Sequence, residues 1–439
     1  MERRRFLLCG AAAAWLPCRA AADAGGKVYA RDIDFLLAEF EKQAGHFFEA
    51  KKIDWPAVTR DFREAVKGVA SDTSYLKLCQ RLTAKLKDGH AGIIQSKITL
   101  PDESAGRRWT GPRVHLMVIG DDVFVRLAFK DAESAGLKSG QRVTAIDGIP
   151  ARQWLEQKVA KLRETEGYST DHQALYAACH WGLADWEGSA ISFSILTADG
   201  TEKSIIRTRN GGPNFTPIGP IFPPEGLKYL GRQRYGLTKS GLAYIHLRDV
   251  PGDLEKQLDA MLAEIGQAPG LILDLRANGG GGCDHAAVFG RFLPKGEFYD
   301  RYQGAGPNPY SGPMVVIIDA GVRSAGETVA GMFKETRRAH TIGDSPTAGM
   351  SSSKATITVP SGLFAVLFSI SSNMSRYNKG RGIEGLGIPP HQLVPYDPAD
   401  LAAGRDTQIT SAETVLLKGT TSEEVDYVPP GLRKEAKRD

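Results

Sequence analysis

The sequence has 439 residues, enough for two or three domains at roughly 100–200 residues each. Apolar residues make up 42% and charged residues 24%, the proportions of a globular protein with sizeable cores. The net charge is only +4 and no basic stripe with interleaved aromatic residues occurs, which argues against nucleic-acid binding.

The first 24 residues have the pattern of an export signal. Arg3–Arg5 precede the apolar stretch Phe6–Pro17, and Ala20–Ala22 offers a cleavage site of small residues. Neither this stretch nor any later one reaches the roughly 20 apolar residues that a membrane span needs. We therefore expect a signal peptide over 1–24 and a periplasmic or secreted protein without a stable membrane span. The order Arg-Arg-x-Phe-Leu fits a twin-arginine signal as well as an ordinary secretory one, so the export route stays open.

The cysteines limit which disulfides and metal sites the mature chain could form. Cys79, Cys179 and Cys283 would remain after processing, and an odd number allows at most one disulfide. No Cys–His cluster has zinc-ligand spacing, so we expect neither a metal nor another cofactor.

Residues 28–96 have the apolar spacing of a small helical domain. One helix should carry Ile33 to Phe47, and a second should start at Asp54-Trp55-Pro56. A third should begin near Ser71–Thr73 and end at Asp88-Gly89, with the glycine as a left-handed cap. His90 would then lie on the loop just beyond this helix.

Residues 112–208 are predicted to be rich in β-structure. Val123–Leu127 alternates like a strand, and Ala135–Gly148 places two glycine turns before a short strand and an Asp-Gly hairpin turn. This run resembles the core of a PDZ domain, although Gln141 replaces the usual aspartate and no Gly-Leu-Gly-Phe loop is evident. A small β-rich domain without a ligand is the alternative.

Residues 230–400 alternate between strands and helices, and 401–439 read as a C-terminal helix and polar tail. The strands are continuous apolar runs, as expected for a parallel sheet covered by helices on both faces. The predicted strands are Leu242–Leu247, Leu271–Leu275 and Met314–Asp319, and the predicted helices are Asp253–Ile265, Asp284–Phe292 and Ser324–Thr336.

Two positions in this region could carry chemistry. Ser324 starts a helix directly after a buried strand, where free amides and the helix dipole would stabilise an oxyanion, although a serine there is often only an N-cap. The buried strand before it ends in Gly279–Gly282, and glycines let backbone amides approach a ligand closely. No Gly-Lys-Ser/Thr follows, so a phosphate loop is excluded. A plain flexible turn remains the alternative.

Three segments resemble motifs of the tail-specific (C-terminal-processing) serine peptidases. Asp274–Gly281 resembles their Asp-Leu-Arg-x-Asn-Gly-Gly-Gly, Ser324–Glu327 their Ser-Ala-Ser-Glu, and Thr341–Gly349 their Val-Gly-Glu-Pro-Thr-x-Gly. The resemblance implies an α/β crotonase-like (ClpP/crotonase) catalytic domain, with an N-terminal helical domain and a PDZ-like β-rich domain. It also implies that Ser324 is the nucleophile.

The resemblance favours the histidine-dependent branch of that family. Met350 stands where the serine–lysine branch has its lysine, and methionine cannot accept a proton. Leu86–Gly92 and Gly382–Pro390 resemble the Leu-x-Asp-Gly-His-Thr-Gly and Glu-Gly-Val-Gly-Val-x-Pro segments of the branch that includes the tricorn core protease and retinoid-binding homologues. This branch implies His90 as the general base and Glu384 as its carboxylate partner.

Alternatives remain for these roles. Tricorn has a serine directly before its histidine, whereas this chain has Gly89, so Glu384 would reach His90 directly, through water or another hydroxyl, or would orient it weakly. Glu384 could also be simply solvated. Lys354 is a rival base, and His285 reads as a first-turn helix residue.

The residues and the resemblance together predict an exported serine endopeptidase. It would hydrolyse protein or peptide substrates through an acyl-enzyme on Ser324, with oxyanion donors from Gly279 or Gly280 and from Ala325. The alternative is a non-catalytic ligand- or peptide-binding homologue of the same fold. Substrate identity and oligomeric state are not indicated.

Overall fold

The computed structural model describes residues 22–99, 108–197, 199–211, 219–350, 353–371, 373 and 376–418, with the side chains of the first helix described from Val28 onward. The predicted signal peptide (1–24) lies almost wholly outside these residues, as does the predicted polar tail beyond 418. Cys79, Cys179 and Cys283 are free thiols. Within the described ranges, no helix is both long enough and apolar enough to cross a bilayer.

The second and third helices of the N-terminal unit start as predicted, whereas the first ends at Ala44 and leaves Phe47 on a 3₁₀ turn. Asp54 caps the second helix by accepting the N–H of Ala57 at 3.0 Å, and Ser71 caps the third. The prediction for the end of the third helix is wrong, because the helix stops at Ala84 and Lys87, not Gly89, takes a left-handed conformation (φ 46°). The helices of this unit are Ala22–Ala44, Trp55–Ala65 and Asp72–Ala84, with short 3₁₀ turns at Gly45–Phe47 and Val66–Gly68.

A hairpin from much later in the chain completes this unit. Strand Gly92–Ile94 pairs with Ala365–Ser369, which pairs in turn with Lys354–Thr358. Phe368 of the hairpin packs edge-on against Phe40 of the first helix, with ring centroids 5.0 Å apart. The sequence assigned this hairpin to the α/β region, because pairing with a strand some 270 positions earlier leaves no local signal.

Within the residues described, the β-rich unit contains the predicted strand and hairpin together with three α-helices. The predicted strand and hairpin are confirmed as Asp122–Ala128 and as Arg142–Ile146 paired with Ile149–Pro150. The side chain of Gln141 accepts the N–H of Lys138 at 2.7 Å, so it closes the preceding turn. The other strands are Trp109–Thr110, Val114–Ile119, Asp185–Trp186, Ala190–Leu196 and Glu202–Thr208, and the helices are Asp131–Ser134, Ala151–Arg163 and Asp171–Cys179, with a 3₁₀ turn at Trp181–Leu183.

A seven-stranded sheet forms the centre of the α/β unit. It is parallel from Ala243–His246 onward, as predicted, but the two strands before that are antiparallel, because short turns join them. All six predicted elements are confirmed to within two residues at either end. In sheet order the strands are Lys228–Leu230, Gln233–Leu237, Ala243–His246, Leu271–Asp274, Met314–Ile318, His340–Gly343 and Gln392–Leu393. The helices of this part of the chain are Leu254–Ile265, His285–Gly290, Ala325–Glu335, Pro398–Ala402 and Thr407–Lys418, with a two-stranded ribbon of Phe298–Tyr299 and Tyr302–Gln303 and a 3₁₀ turn at Asn378–Gly380.

The register of this sheet fixes where the site can form. Leu271–Asp274 and Met314–Ile318 are neighbouring parallel strands, so their carboxyl ends lie at the same sheet edge. The glycine loop follows the first of these strands and Ser324 follows the second. The crevice beyond the carboxyl ends of parallel strands is the usual place for a ligand.

Arg276 of the Asp-Leu-Arg segment has a structural role. Its guanidinium is fully buried and pairs with Asp274 and with Asp406, the latter at 2.9 Å. It also donates to the Tyr396 hydroxyl at 2.6 Å. A buried ion pair needs further hydrogen bonds to offset its desolvation, and here they tie the sheet to the C-terminal helices.

Candidate active site

Ser324 occupies a strained turn between a buried strand and a helix. Its backbone lies at φ 55° and ψ −122°, a region that costs a non-glycine residue about 1–3 kcal/mol. Such strain persists only where the surroundings hold the turn. Here the N–H of Arg323 donates to the carbonyl of Asn278 at 2.9 Å, and the N–H of Ser324 donates to the carboxylate of Glu327 at 3.0 Å.

The carboxylate of Glu327 joins this turn to the segment that carries Met350. It accepts the hydroxyl of Thr347 at 2.7 Å and the N–H groups of Gly349 at 2.7 Å and Met350 at 2.9 Å. Burial raises the pKa of Glu327 to about 7, while these hydrogen bonds lower it. Four donors on one buried carboxylate hold both segments in place.

The glycine loop packs directly against the Ser324 turn. Gly280 has φ 78°, and a Cβ there would lie 2.8 Å from both the Arg323 carbonyl and the Ser324 Cβ. The loop is fixed by Asn278, which is fully buried and whose Oδ1 accepts the N–H of Gly280 at 2.8 Å. Only glycine fits this contact.

The predicted oxyanion donors differ in their availability. The N–H of Gly279 donates to the Arg248 carbonyl at 3.1 Å and that of Gly280 to the Asn278 side chain. Ala325 is the first residue of its helix, where an N–H has no acceptor within the helix. The structure therefore presents the Ala325 amide beside Ser324 and engages the two glycine amides elsewhere.

His90 lies on a turn that is fixed by Asp88. Asp88 is 2% exposed, and its Oδ1 accepts the His90 N–H at 2.8 Å. Its carboxylate also accepts the N–H of Ser369 at 2.7 Å and the hydroxyl of the same residue at 3.0 Å. The late hairpin thus holds the histidine turn.

Glu384 lies beside His90, although 294 positions separate the two residues in the sequence. One ring nitrogen of His90 and one carboxylate oxygen each of Asp88 and Glu384 all lie within 4.8 Å of one another. The Glu384 side chain is buried and pairs with Lys51 at 2.8 Å, so Glu384 is not simply solvated. Burial raises its pKa to about 7, and the positive charge of Lys51 opposes that rise.

These three residues are also the described set that could reach a metal ion. One histidine and two carboxylates are a plausible donor set for zinc. The carboxylate of Asp88, however, is already used by three hydrogen bonds, and an added cation would meet the Lys51 ammonium at Glu384. The hydrogen bonds of Asp88 and the ion pair of Glu384 therefore satisfy these carboxylates better than a metal ion would.

Gly89 and Met350 pack together between His90 and Ser324. A Cβ on Gly89 would lie 2.7 Å from the Met350 sulfur and 2.6 Å from the Gln173 side-chain nitrogen. Gln173 in turn donates to that sulfur at 2.9 Å. The path from Ser324 through Glu327 and Met350 to the His90 turn is therefore continuous.

The sequence alone did not indicate two residues that contact Glu384 at the site. Lys51 lies in a Lys-Lys pair typical of a solvated surface, and Ser169 stands beside a helix start, where serines are common. Of the rival residues, Lys354 is exposed at the start of its strand. His285 is the first residue of its helix, as predicted, and it hydrogen-bonds the backbone of Ala325.

Comparisons with known proteins identify the family. Residues 241–394 match the family described as Peptidase family S41. This segment belongs to peptidase family S41. The membership confirms the resemblance to C-terminal-processing serine peptidases that the motifs indicated.

Individual relatives of the chain are distant. The carboxyl-terminal-processing protease of Picosynechococcus sp. is 23% identical over 304 residues, which cover 66% of this chain and 64% of that protein. Tricorn protease homolog 1 of Streptomyces coelicolor is 26% identical over 249 residues, covering 53% of this chain and 22% of that protein. The chain thus spans less than two thirds of the length of these relatives.

Solved structures show the same fold over most of the chain. The crystal structure of mature CPAF superposes with a TM-score of 0.66 at 12% identity, covering 89% of this chain and 96% of that one. At this identity, the likeness concerns the fold alone.

Substituting Gly280 tests the contact between the glycine loop and the Ser324 turn. Gly280→Ala should lower the thermal unfolding temperature, because the new Cβ meets backbone and the backbone conformation is left-handed. It should also slow labelling by a fluorophosphonate probe at least about tenfold, since small displacements of reacting groups cost on the order of a hundredfold in rate.

Gly282→Ala is the matched control, since a Cβ at that position meets nothing within 4 Å. Equal effects of the two changes on labelling would contradict the assigned contact.

Proposed function

We propose that this chain is a serine endopeptidase in which Ser324 is the nucleophile, His90 the general base and Glu384 its carboxylate partner. The observation that carries the proposal is the path Ser324–Glu327–Met350–Gly89, which brings the strained serine turn and the histidine turn to one place. Protein or peptide substrates follow from the S41 match and from relatives that are carboxyl-terminal-processing proteases.

The chemistry follows from the residue types. His90 takes the proton from the Ser324 hydroxyl as the oxygen attacks the substrate carbonyl, because serine is a weak nucleophile without a base. The imidazolium then gives this proton to the leaving amine, and an acyl-enzyme on Ser324 remains. A water deprotonated by His90 attacks the ester, and the proton returns to Ser324 on release of the acid product. Glu384 stabilises the imidazolium in both steps.

The Ala325 N–H is the first oxyanion donor in this proposal. The second comes from Gly279 or Gly280, whose N–H must then leave its present acceptor. Donors aimed at the developing charge are typically worth about 3–4 kcal/mol each. Hydrogen bonds in an unliganded site often rearrange when substrate binds.

Replacing the nucleophile tests the proposal directly. Ser324→Ala should abolish peptide hydrolysis and fluorophosphonate labelling while the circular dichroism spectrum is retained. Ser204→Ala, at an exposed position on a strand, should leave both activities unchanged. Wild-type protein that never labels under any condition would favour the alternative, a ligand- or peptide-binding homologue.

The base assignment separates His90 from Lys354. His90→Ala should lose about a hundred- to ten-thousand-fold in kcat/KM, the usual contribution of a positioned base, whereas Lys354→Ala should keep nearly full activity. Glu384→Gln should cost less than the His90 change, because Glu384 contacts the base rather than the substrate. The value of kcat/KM should fall as pH drops through about 7, since protonation of Glu384 removes the charge that supports the imidazolium. An inactive Lys354→Ala beside an active His90→Ala would replace this assignment with a serine–lysine dyad.

The domain assignments extend the proposal. We infer that residues 112–208 form a PDZ-like domain, supported by its antiparallel strands and by Gln141 closing the turn where the motif has aspartate. The α/β unit over 230–400 is inferred to be crotonase-like, supported by the run of parallel strands at the centre of its sheet.

Export is the last part of the proposal. Cleavage after the small-residue site predicts a mature protein that begins near Asp23–Gly25, close to the start of the first helix at Ala22. N-terminal sequencing of the protein from the periplasmic or secreted fraction should find this start. Recovery of only the full-length chain in the cytoplasm would contradict the signal peptide.

A further inference from the structure

Lys51 is buried beside the proposed catalytic carboxylate. Its side chain is only 6% exposed, and its Nζ donates to Oε1 of Glu384 at 2.8 Å and to the Lys87 carbonyl at 3.0 Å. The ammonium also lies 5.0 Å from the ring centroid of Phe47, within range of a cation–π contact. Lysine is rarely this buried without a specific partner, and the partner here is Glu384.

A second donor reaches the same carboxylate oxygen. The hydroxyl of Ser169 donates to Oε1 of Glu384 at 2.9 Å and accepts the N–H of Gly89 at 2.9 Å. The other oxygen, Oε2, is buried without a hydrogen-bond partner among the described residues. Because both fixed donors use Oε1, Oε2 is left as the acceptor for the neighbouring His90 imidazole.

We propose that Lys51 is a positioning residue for His90: together with Ser169 it fixes Oε1 of Glu384 and favours the charged form of this carboxylate, so that Oε2 is available to accept from the imidazole. This inference rests on the proposed function of Ser324, His90 and Glu384. Ser169 then provides the hydroxyl contact to Glu384, which Gly89 cannot provide because it has no side chain.

The charges around Glu384 explain why a lysine is needed. The groups that face Glu384 are Lys51, His90, Asp88 and Glu327. Two of these are carboxyl groups, and burial together with the charge of Asp88 raises the pKa of Glu384, while Lys51 lowers it. Without the ammonium, a larger share of Glu384 would be protonated at neutral pH, and the protonated form could not stabilise the imidazolium.

The first experiment is the pH profile of kcat/KM. Lys51→Met should move the acidic limb to higher pH by about one unit or more, the usual effect of an opposite charge at this distance. Lys51→Gln, which removes the charge but keeps a donor, should shift the limb in the same direction, and Lys51→Arg should leave it within a few tenths of a unit of its wild-type position.

Lys87→Met is the matched control for local structure. Lys87 Nζ donates to the carbonyls of Lys51 and Lys52 at 2.8 and 3.1 Å, so it links the same two segments without contacting Glu384. Its loss should leave the acidic limb in place. A uniform loss of activity in Lys51→Met and Lys51→Gln with an unmoved limb would overturn the proposal and leave Lys51 a purely structural role.

The second experiment does not depend on activity and uses the Ser324→Ala protein. Glu384 binds its proton more tightly in the folded than in the unfolded state, so its contribution to stability is present at low pH and is lost as pH rises toward about 7. Lys51→Met raises the folded-state pKa further and extends this loss to higher pH. The decrease in Tm caused by Lys51→Met should therefore be larger at pH 8.5 than at pH 6.

Glu384→Gln should remove this difference between the two pH values, because the carboxyl group whose titration Lys51 influences is then absent. An equal decrease in Tm at both pH values would overturn the charge role of Lys51 whether or not the chain is a peptidase. Failure of the Ser324→Ala and His90→Ala predictions, by contrast, would reject the proposed function and leave this stability result intact.

Discussion

The buried carboxylate of Glu327 is the interaction on which the candidate site depends. Burying a carboxylate costs several kcal/mol, and hydrogen bonds to a charged group return about 1.5–3 kcal/mol each. Four donors, from Ser324, Thr347, Gly349 and Met350, offset this cost only if both segments stay in place. The strained backbone of Ser324 is thus stabilised by a group that itself requires that backbone.

The site is assembled from three separate parts of the chain. The helical unit supplies His90 and Lys51, the β-rich unit supplies Ser169, and the α/β unit supplies Ser324 and Glu384. A buried contact supports this arrangement beneath the Ser324 turn. Arg126 of the β-rich unit lies 3.8 Å from Asp319, and Asp319 accepts the N–H groups of Ala277 and Gly321 at 2.9 Å each. Loss of docking between these units would therefore disturb both the glycine loop and the serine turn.

Two departures from the motifs are coupled in space. Met350 replaces a lysine and Gly89 replaces a serine, and the structure packs the two residues against each other. The Met350 sulfur fills the space that a side chain at position 89 would need, as the 2.7 Å approach of a Cβ demonstrates. With glycine at position 89, the histidine turn has no hydroxyl of its own there. Ser169 supplies one instead, and its Oγ contacts both Gly89 and Glu384.

The sequence by itself determined the local elements and the family. Continuous apolar runs and helix starts placed the strands and helices around Ser324 to within two residues, because period and capping are properties of neighbouring positions. It did not place the hairpin 354–369 on the helical unit, nor Lys51 and Ser169 beside Glu384. Those contacts join positions roughly 200–330 residues apart, so no local pattern encodes them. Burial also decided between two interpretations of Glu384 that the sequence left open, the partner of His90 or a solvated side chain: the three parts of the chain enclose it and raise its pKa to about 7.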